Sequence, residues 1–215
     1  GVTYETAGAL QNGRIVWILA KMPEKYIIAG DEITPYLVVM NSHNGSTGLH
    51  AALTPIRVVC QNTLNLALST AKRSWTTRHT ENIFGRINEA EKTLFMAESY
   101  MTELGKEIDH LNQIKLTDSK AIRMMESFYP ASPELGETQR NNNQKLLDDM
   151  KQRYFEAPDL AGVGKNGYRF INAVSDFVTH AEPVRKTKNY KENLFLKTVD
   201  GNAMIDKAYK MVLAA

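Results

Sequence analysis

Thr54-Pro55-Ile56-Arg57-Val58-Val59-Cys60-Gln61-Asn62-Thr63-Leu64 is the stretch on which the reading of the fold turns. A hydroxyl residue followed by proline suits a helix start, because the side chain can cap an orphan N–H and proline lacks the donor that the first turn leaves unused. Ile56, Val59, Cys60, Thr63, Leu64, Ala67, Leu68 and Ala71 then recur at helical spacing, with Arg57, Gln61, Asn62 and Asn65 on other faces. The pattern predicts a helix from Thr54 whose apolar stripe packs across a sheet. Residues before Thr54 read as strands, and those after it as helices.

Upstream, residues 1–54 are rich in β-branched and aromatic side chains. Tyr4 to Leu10 and Arg14 to Lys21 flank Asn12-Gly13, a pair suited to a type I′ hairpin turn. In the second strand Ile15, Trp17 and Leu19 alternate with Val16, Ile18 and Ala20. Both sets are apolar, which predicts a central strand covered on both faces. Tyr26 to Ala29 and Tyr36 to Met40 come next, separated by a Gly30-Asp31 turn, and Gly48 to Leu53 forms a last strand.

Downstream, Ile83, Ile87, Ala90, Leu94, Ala97, Met101, Leu104, Ile108 and Leu111 alternate spacings of four and three, the seam of a long heptad-patterned helix. Such a seam serves either a helical hairpin within one chain or a coiled coil between copies. Further helices are predicted over Asp118 to Tyr129, Thr138 to Phe155, Tyr168 to Ala181 and Gly201 to Leu213. The fold class is therefore α+β: an antiparallel meander of four to five strands packed by a helix, then a mostly helical C-terminal half. Residues 1–80 hold the sheet and its first packing helix. Residues 81–215 form a helical region continuous with them as one domain.

With 43% hydrophobic and 23% charged residues among 215, the chain is neither disordered nor a disulfide mini-protein. A single cysteine, Cys60, cannot form an internal bridge and suits the cytoplasm. No apolar run approaches membrane-spanning length. No signal peptide is visible, and Val2-Thr3-Tyr4 already reads as strand, as in a piece of a longer protein. Lys+Arg 26 against Asp+Glu 24 gives a net +2, which by itself names no partner.

Local charge says more. Lys72-Arg73-Ser74-Trp75-Thr76-Thr77-Arg78-His79-Thr80 sets three fixed cations, a histidine and a tryptophan among hydroxyls. Phosphates are bound by such cations, and an aromatic between them can stack a base. The competing reading is a helix end whose Lys and Arg complement the dipole while Trp75 covers core. Arg185-Lys186-Thr187-Lys188-Asn189-Tyr190-Lys191 carries four cations and no acid and reads as a basic loop. Lys72, Arg73, Trp75, Arg78, His79, Arg185, Lys186, Lys188, Tyr190 and Lys191 are thus the candidate nucleic-acid contacts. Asn41, Ser42, His43, Gly45 and Ser46 belong to a polar loop that either offers backbone N–H groups to an anion or merely turns the chain. His43, His50, His79, His110 and His180 have no partner at metal-ligand spacing, so no metal or cofactor is expected. No nucleophile–base pair or paired carboxylates for catalysis appear.

Several strings taken together resemble a known family. They are Tyr4-Glu5-Thr6-Ala7-Gly8-Ala9-Leu10 with Gly13-Arg14-Ile15-Val16-Trp17, Asn41-Ser42-His43-Asn44-Gly45-Ser46, the Thr54–Leu64 stretch, and, more loosely, Arg78-His79-Thr80-Glu81-Asn82-Ile83 and Asn172-Ala173-Val174 with His180 and Glu182. The chain resembles the uncharacterised phage/plasmid-like proteins, a domain of unknown function found in phage, prophage and plasmid genes. Members often have Asp at the position of Asn44, which weakens a metal role for that loop. The resemblance implies a mobile-element context and supplies no mechanism. Joined to the basic segments, it points to an accessory protein that binds single-stranded nucleic acid, by fold analogy like single-strand annealing proteins. The alternative is an interaction module that forms a homo-oligomer through the heptad helix.

Overall fold

A computed structural model describes residues 1–45, 48–57, 62, 63, 65, 66, 68, 72–78 and 83–215, with backbone only at 62 and 83–95. The chain divides into two compact units. The first comprises Gly1–Lys106 with Asn189–Gly201, the second Glu107–Lys188 with Asn202–Ala215.

The first unit is built on an antiparallel sheet. Its strands are β1 (Thr3–Leu10), β2 (Ile15–Lys21), β3 (Tyr26–Ile28), β4 (Asp31–Ser42), β5 (Leu49–Arg57), β6 (Asn62–Thr63) and β7 (Ser74–Thr77). They run in the order β1-β2-β4-β5-β6, with β3 on β4 and β7 on β5. The α+β class thus stands, with more strands than the sequence suggested.

The predicted helix start at Thr54 is instead the end of β5, which continues through Pro55 to Arg57. Pro55 lies directly opposite Pro35 of β4. Two prolines can oppose each other only in a non-hydrogen-bonded pair, where neither N–H is needed. The carbonyl of Pro35 accordingly points away from β5 and accepts from the Met22 N–H at 3.0 Å. Strand alternation also delivers Arg57 to the Asp31 carboxylate, through Nε at 2.7 Å and Nη2 at 3.0 Å. Arg57 is 1% exposed, so this bidentate pair ties the end of β5 to the β3–β4 hairpin inside the unit. The rest of the predicted stripe, Cys60 included, lies largely outside the described residues.

Two further expectations are corrected. The β1–β2 hairpin forms, but its turn is centred one residue early. Gln11 and Asn12 both have positive φ (52° and 57°), and the Gly13 N–H donates to the Leu10 carbonyl. β2 is not covered on both faces, because Val16 and Ile18 are 37% and 50% exposed. Its other face, Trp17 and Leu19, packs on the cluster of Val38, Met40, Ala52 and Val199.

The helix that covers this face comes from far along the chain. It is α5 (Tyr190–Asp200), over a stretch expected in part to be loop. Cross-strand partners Gly8, Trp17, Met40, His50 and Thr76 form one row across β1, β2, β4, β5 and β7. Phe195 stacks on Trp17 with ring centroids 4.5 Å apart. The Trp17 ring lies over Gly8, where a Cβ would fall 2.7 Å from it.

Helix α1 (Ile83–Gln113) fulfils the heptad reading as one continuous helix, belonging to the first unit as far as Lys106. Its described seam residues Ala97, Met101, Leu104, Ile108 and Leu111 are all buried. The second unit contains α2 (Asp118–Glu126), α3 (Glu137–Glu156), α4 (Gly167–His180) and α6 (Ala203–Leu213), close to their predicted bounds. Gly167 opens α4 where a Cβ would clash with Val212 at 2.4 Å, so α4 and α6 meet there at minimal separation.

Removing one partner of a buried pair strands the other charge, at a cost of about 3–5 kcal/mol. Arg57→Met should lower unfolding stability in urea by about that amount, while Arg57→Met with Asp31→Leu should recover most of it. Equal stability of the single and double variants would refute the role given to this pair.

Candidate nucleic-acid interface

One end of the sheet gathers pieces from four parts of the chain. The β1–β2 turn, the β4–β5 connection and the end of β7 meet there, as the pairs Leu10–Ile15, Ile15–Ser42 and Leu49–Thr77 require. The His43 N–H donates to the Arg14 carbonyl at 2.7 Å, and Asn44 Nδ2 donates to Gln11 Oε1 at 3.3 Å. Gly48 runs so close to β7 that a Cβ would lie 1.8 Å from the Thr77 carbonyl oxygen. The first turn of α5 arrives at the same end, where Glu192 Oε1 accepts from the Gln11 N–H at 2.8 Å.

These contacts bring Arg14, His43, Asn44, Arg78 and Lys191 to one rim, all exposed. Arg14, Arg78 and Lys191 have no acidic partner among the described residues. Three inter-strand spacings separate β2 from β7 through β4 and β5, so the cationic rim extends about 15 Å.

The candidates named from sequence have divergent fates. Lys72 is exposed on the approach to β7, away from the rim. Arg73 is half-buried, and its Nη1 donates to the carbonyls of Leu53 at 3.2 Å and Val199 at 2.7 Å. It therefore serves the C-terminus of α5, in keeping with the dipole reading, though for a different helix. Trp75 is half-buried opposite Ala51. His79 and Ser46 lie outside the described residues. Arg185, Lys186 and Lys188 are exposed in the second unit, with Lys186 paired to Glu182 at 2.7 Å. Tyr190 is half-buried beside Lys191 in the first turn of α5. In the polar loop, Asn41 and Ser42 are the last residues of β4, with Ser42 buried, while His43 and Gly45 are exposed.

A second grouping escaped the sequence. His50 Nδ1 lies 2.6 Å from Thr76 Oγ1, and its Nε2 lies 3.6 Å from Asp200 Oδ1. Thr76 and Asp200 are exposed, and the imidazole between them is buried. Burial pulls His50 below the ordinary histidine range; Asp200 opposes that shift and Arg73 adds to it. Asp200 is far along the chain from His50, so no spacing rule could pair them. Among the described residues no group of three or more His, Cys, Asp or Glu is arranged to hold a metal. No helix among them is long and apolar enough to cross a membrane.

The chain belongs to an uncharacterised domain family: it matches the domain of unknown function DUF932 over residues 1–198. No curated protein and no solved structure matches it.

The lowered His50 pKa has a definite sign. In the histidine range the unfolded chain binds a proton that the folded chain does not, so this group makes stability rise with pH. As the pH falls below about 6.5, the folded protein should lose stability until His50 itself protonates. His50→Gln should flatten the stability curve between about pH 7 and 5, measured by urea denaturation. Parallel curves would exclude His50 as the origin.

Proposed function

We propose that the chain is a non-enzymatic accessory protein of a phage, prophage or plasmid that acts in the cytoplasm. On this reading it binds single-stranded nucleic acid along the loop rim of its sheet. The observation that carries the reading is the convergence of Arg14, Arg78 and Lys191, exposed and without described acidic partners, beside the exposed His43 and Asn44. Cations provide the sequence-independent attraction to a phosphate backbone, and the amide and imidazole groups add hydrogen bonds. The N-terminal end of α5 contributes positive dipole at the same rim. Tyr190 is the aromatic beside these cations, and Trp75 the one two residues before the end of β7.

A protein-interaction reading has its own support in the exposed apolar side chains Tyr4, Val16 and Ile18 on β1 and β2. The heptad seam supports it less, because its described residues are buried within the chain.

Fluorescence anisotropy with a labelled oligo-dT strand separates the two. Affinity should fall steeply with salt, and Arg78→Ala should weaken binding and reduce the log–log salt slope by about 0.7. Arg14→Ala and Lys191→Ala should do the same, whereas Ile18→Ser should leave DNA binding intact. Absent binding at low salt, or binding indifferent to all three cation variants, would leave the interaction reading in possession.

A further inference from the structure

The first unit has a cleft of about 510 Å³ well away from the rim, between the β2–β3 connection and helix α1. Met22, Pro35 and Ala97 are buried and give it an apolar floor. Tyr26 is half-buried in its wall, and Glu24 and Glu98 flank it. Both carboxylates belong to exposed residues and have no hydrogen-bond or ion-pair partner among the described residues. The cation at the cleft, Lys25, is already committed to Glu32 at 2.7 Å. The cleft therefore combines two uncommitted negative charges, one aromatic ring and apolar surface, in a volume suited to a small molecule or one long side chain.

We propose that this cleft binds an organic cation, an alkylammonium or guanidinium group on a methylene stem. The chemistry of the walls selects it. An anion would meet two carboxylates. A purely apolar ligand would strip water from Glu24 and Glu98 without replacing their hydrogen bonds. A bare metal ion would lack a third ligand, since no cluster of three is present among the described residues. An organic cation suits the carboxylate, aromatic and apolar walls: its charged head meets Glu24, Glu98 and the electron-rich phenol ring while Lys25 stays on Glu32, and its stem lies on the Met22, Pro35 and Ala97 floor. The Tyr26 phenol already registers the local field, because its pKa is raised by burial and further by Glu24 and Glu98. The cation comes either from a free diamine or polyamine or from a lysine or arginine of a partner protein.

Isothermal titration of the full chain with 1,4-diaminobutane, and separately with a capped lysine-containing peptide, tests the site and distinguishes its sources. Binding of the diamine alone assigns a free amine. Tighter binding of the peptide assigns a partner side chain. In either case Glu24→Gln with Glu98→Gln should weaken binding at least about tenfold, since each lost charge-assisted contact is worth roughly that factor. Tyr26→Phe identifies the Tyr26 component of the phenolate absorbance, which should titrate at lower pH in the presence of butylguanidinium, a cation that keeps its charge through the phenol range. 1,4-Butanediol, of the same length and uncharged, should not bind. The combined variant Arg14→Ala, Arg78→Ala and Lys191→Ala should leave the titration unchanged, so the outcome is independent of the nucleic-acid reading. No heat with either cation at millimolar concentration, or undiminished binding to the double carboxylate variant, would overturn the proposal.

Discussion

The seating of α5 across the sheet is the contact on which the first unit depends. It rests on an absence, the missing side chain of Gly8, which lets the Trp17 ring lie flat over β1 and present itself to Phe195. From that stack α5 runs past Met40 to His50. Val199 joins the core cluster, its carbonyl meets Arg73, and Asp200 comes to rest near His50. At its other end Glu192 holds the β1–β2 turn. One helix thus buries the apolar face of the sheet and joins elements far apart in the chain.

The same arrangement sorts charge. A net charge of +2 conceals a sheet end bearing Arg14, Arg78 and Lys191 and a separate cleft bearing Glu24 and Glu98. Other ionic groups are spent on the fold. Arg57 is sealed against Asp31, and Arg73 braces the last turn of α5. A count of basic residues in a segment therefore measures two things at once, and only the hydrogen-bond partners of each guanidinium separate them. Arg73 and Arg78 stand in one basic run, yet the first is occupied by backbone carbonyls and the second is exposed.

The parts legible in the sequence are those whose signal is local and repeated. The heptad spacing from Ile83 to Leu111 gives α1 as a single helix, and the amphipathic stripes give α2, α3, α4 and α6 near their observed ends. The stretch Thr54–Arg57 misleads because Thr-Pro is permissible both at a helix start and in a strand at a non-hydrogen-bonded pair. What decides between them is Pro35 across the sheet, which no local window contains. Helix α5 is obscured by its basic approach: Leu194, Phe195, Leu196 and Val199 carry the signal, but Lys188, Lys191 and Lys197 dilute it. The rim is half legible. The polar loop, Arg78 and Lys191 stand out by composition, whereas Arg14 reads only as the flank of a turn, and its company is fixed by strand register alone.

Register also separates the exposed rim from the row behind it. Neighbouring strands stand about 4.8 Å apart, so polar side chains facing each other in one row come within hydrogen-bond reach. Thr76 and His50 do so at 2.6 Å. Beyond the last paired residues, at Arg14, His43, Asn44 and Arg78, the ladder has ended and the chain turns back. Arg14, His43 and Arg78 are exposed there, and Asn44 Nδ2 donates to Gln11 Oε1. Arg14 and Arg78 at that boundary are exposed, whereas Arg73, further inward, is consumed by the fold.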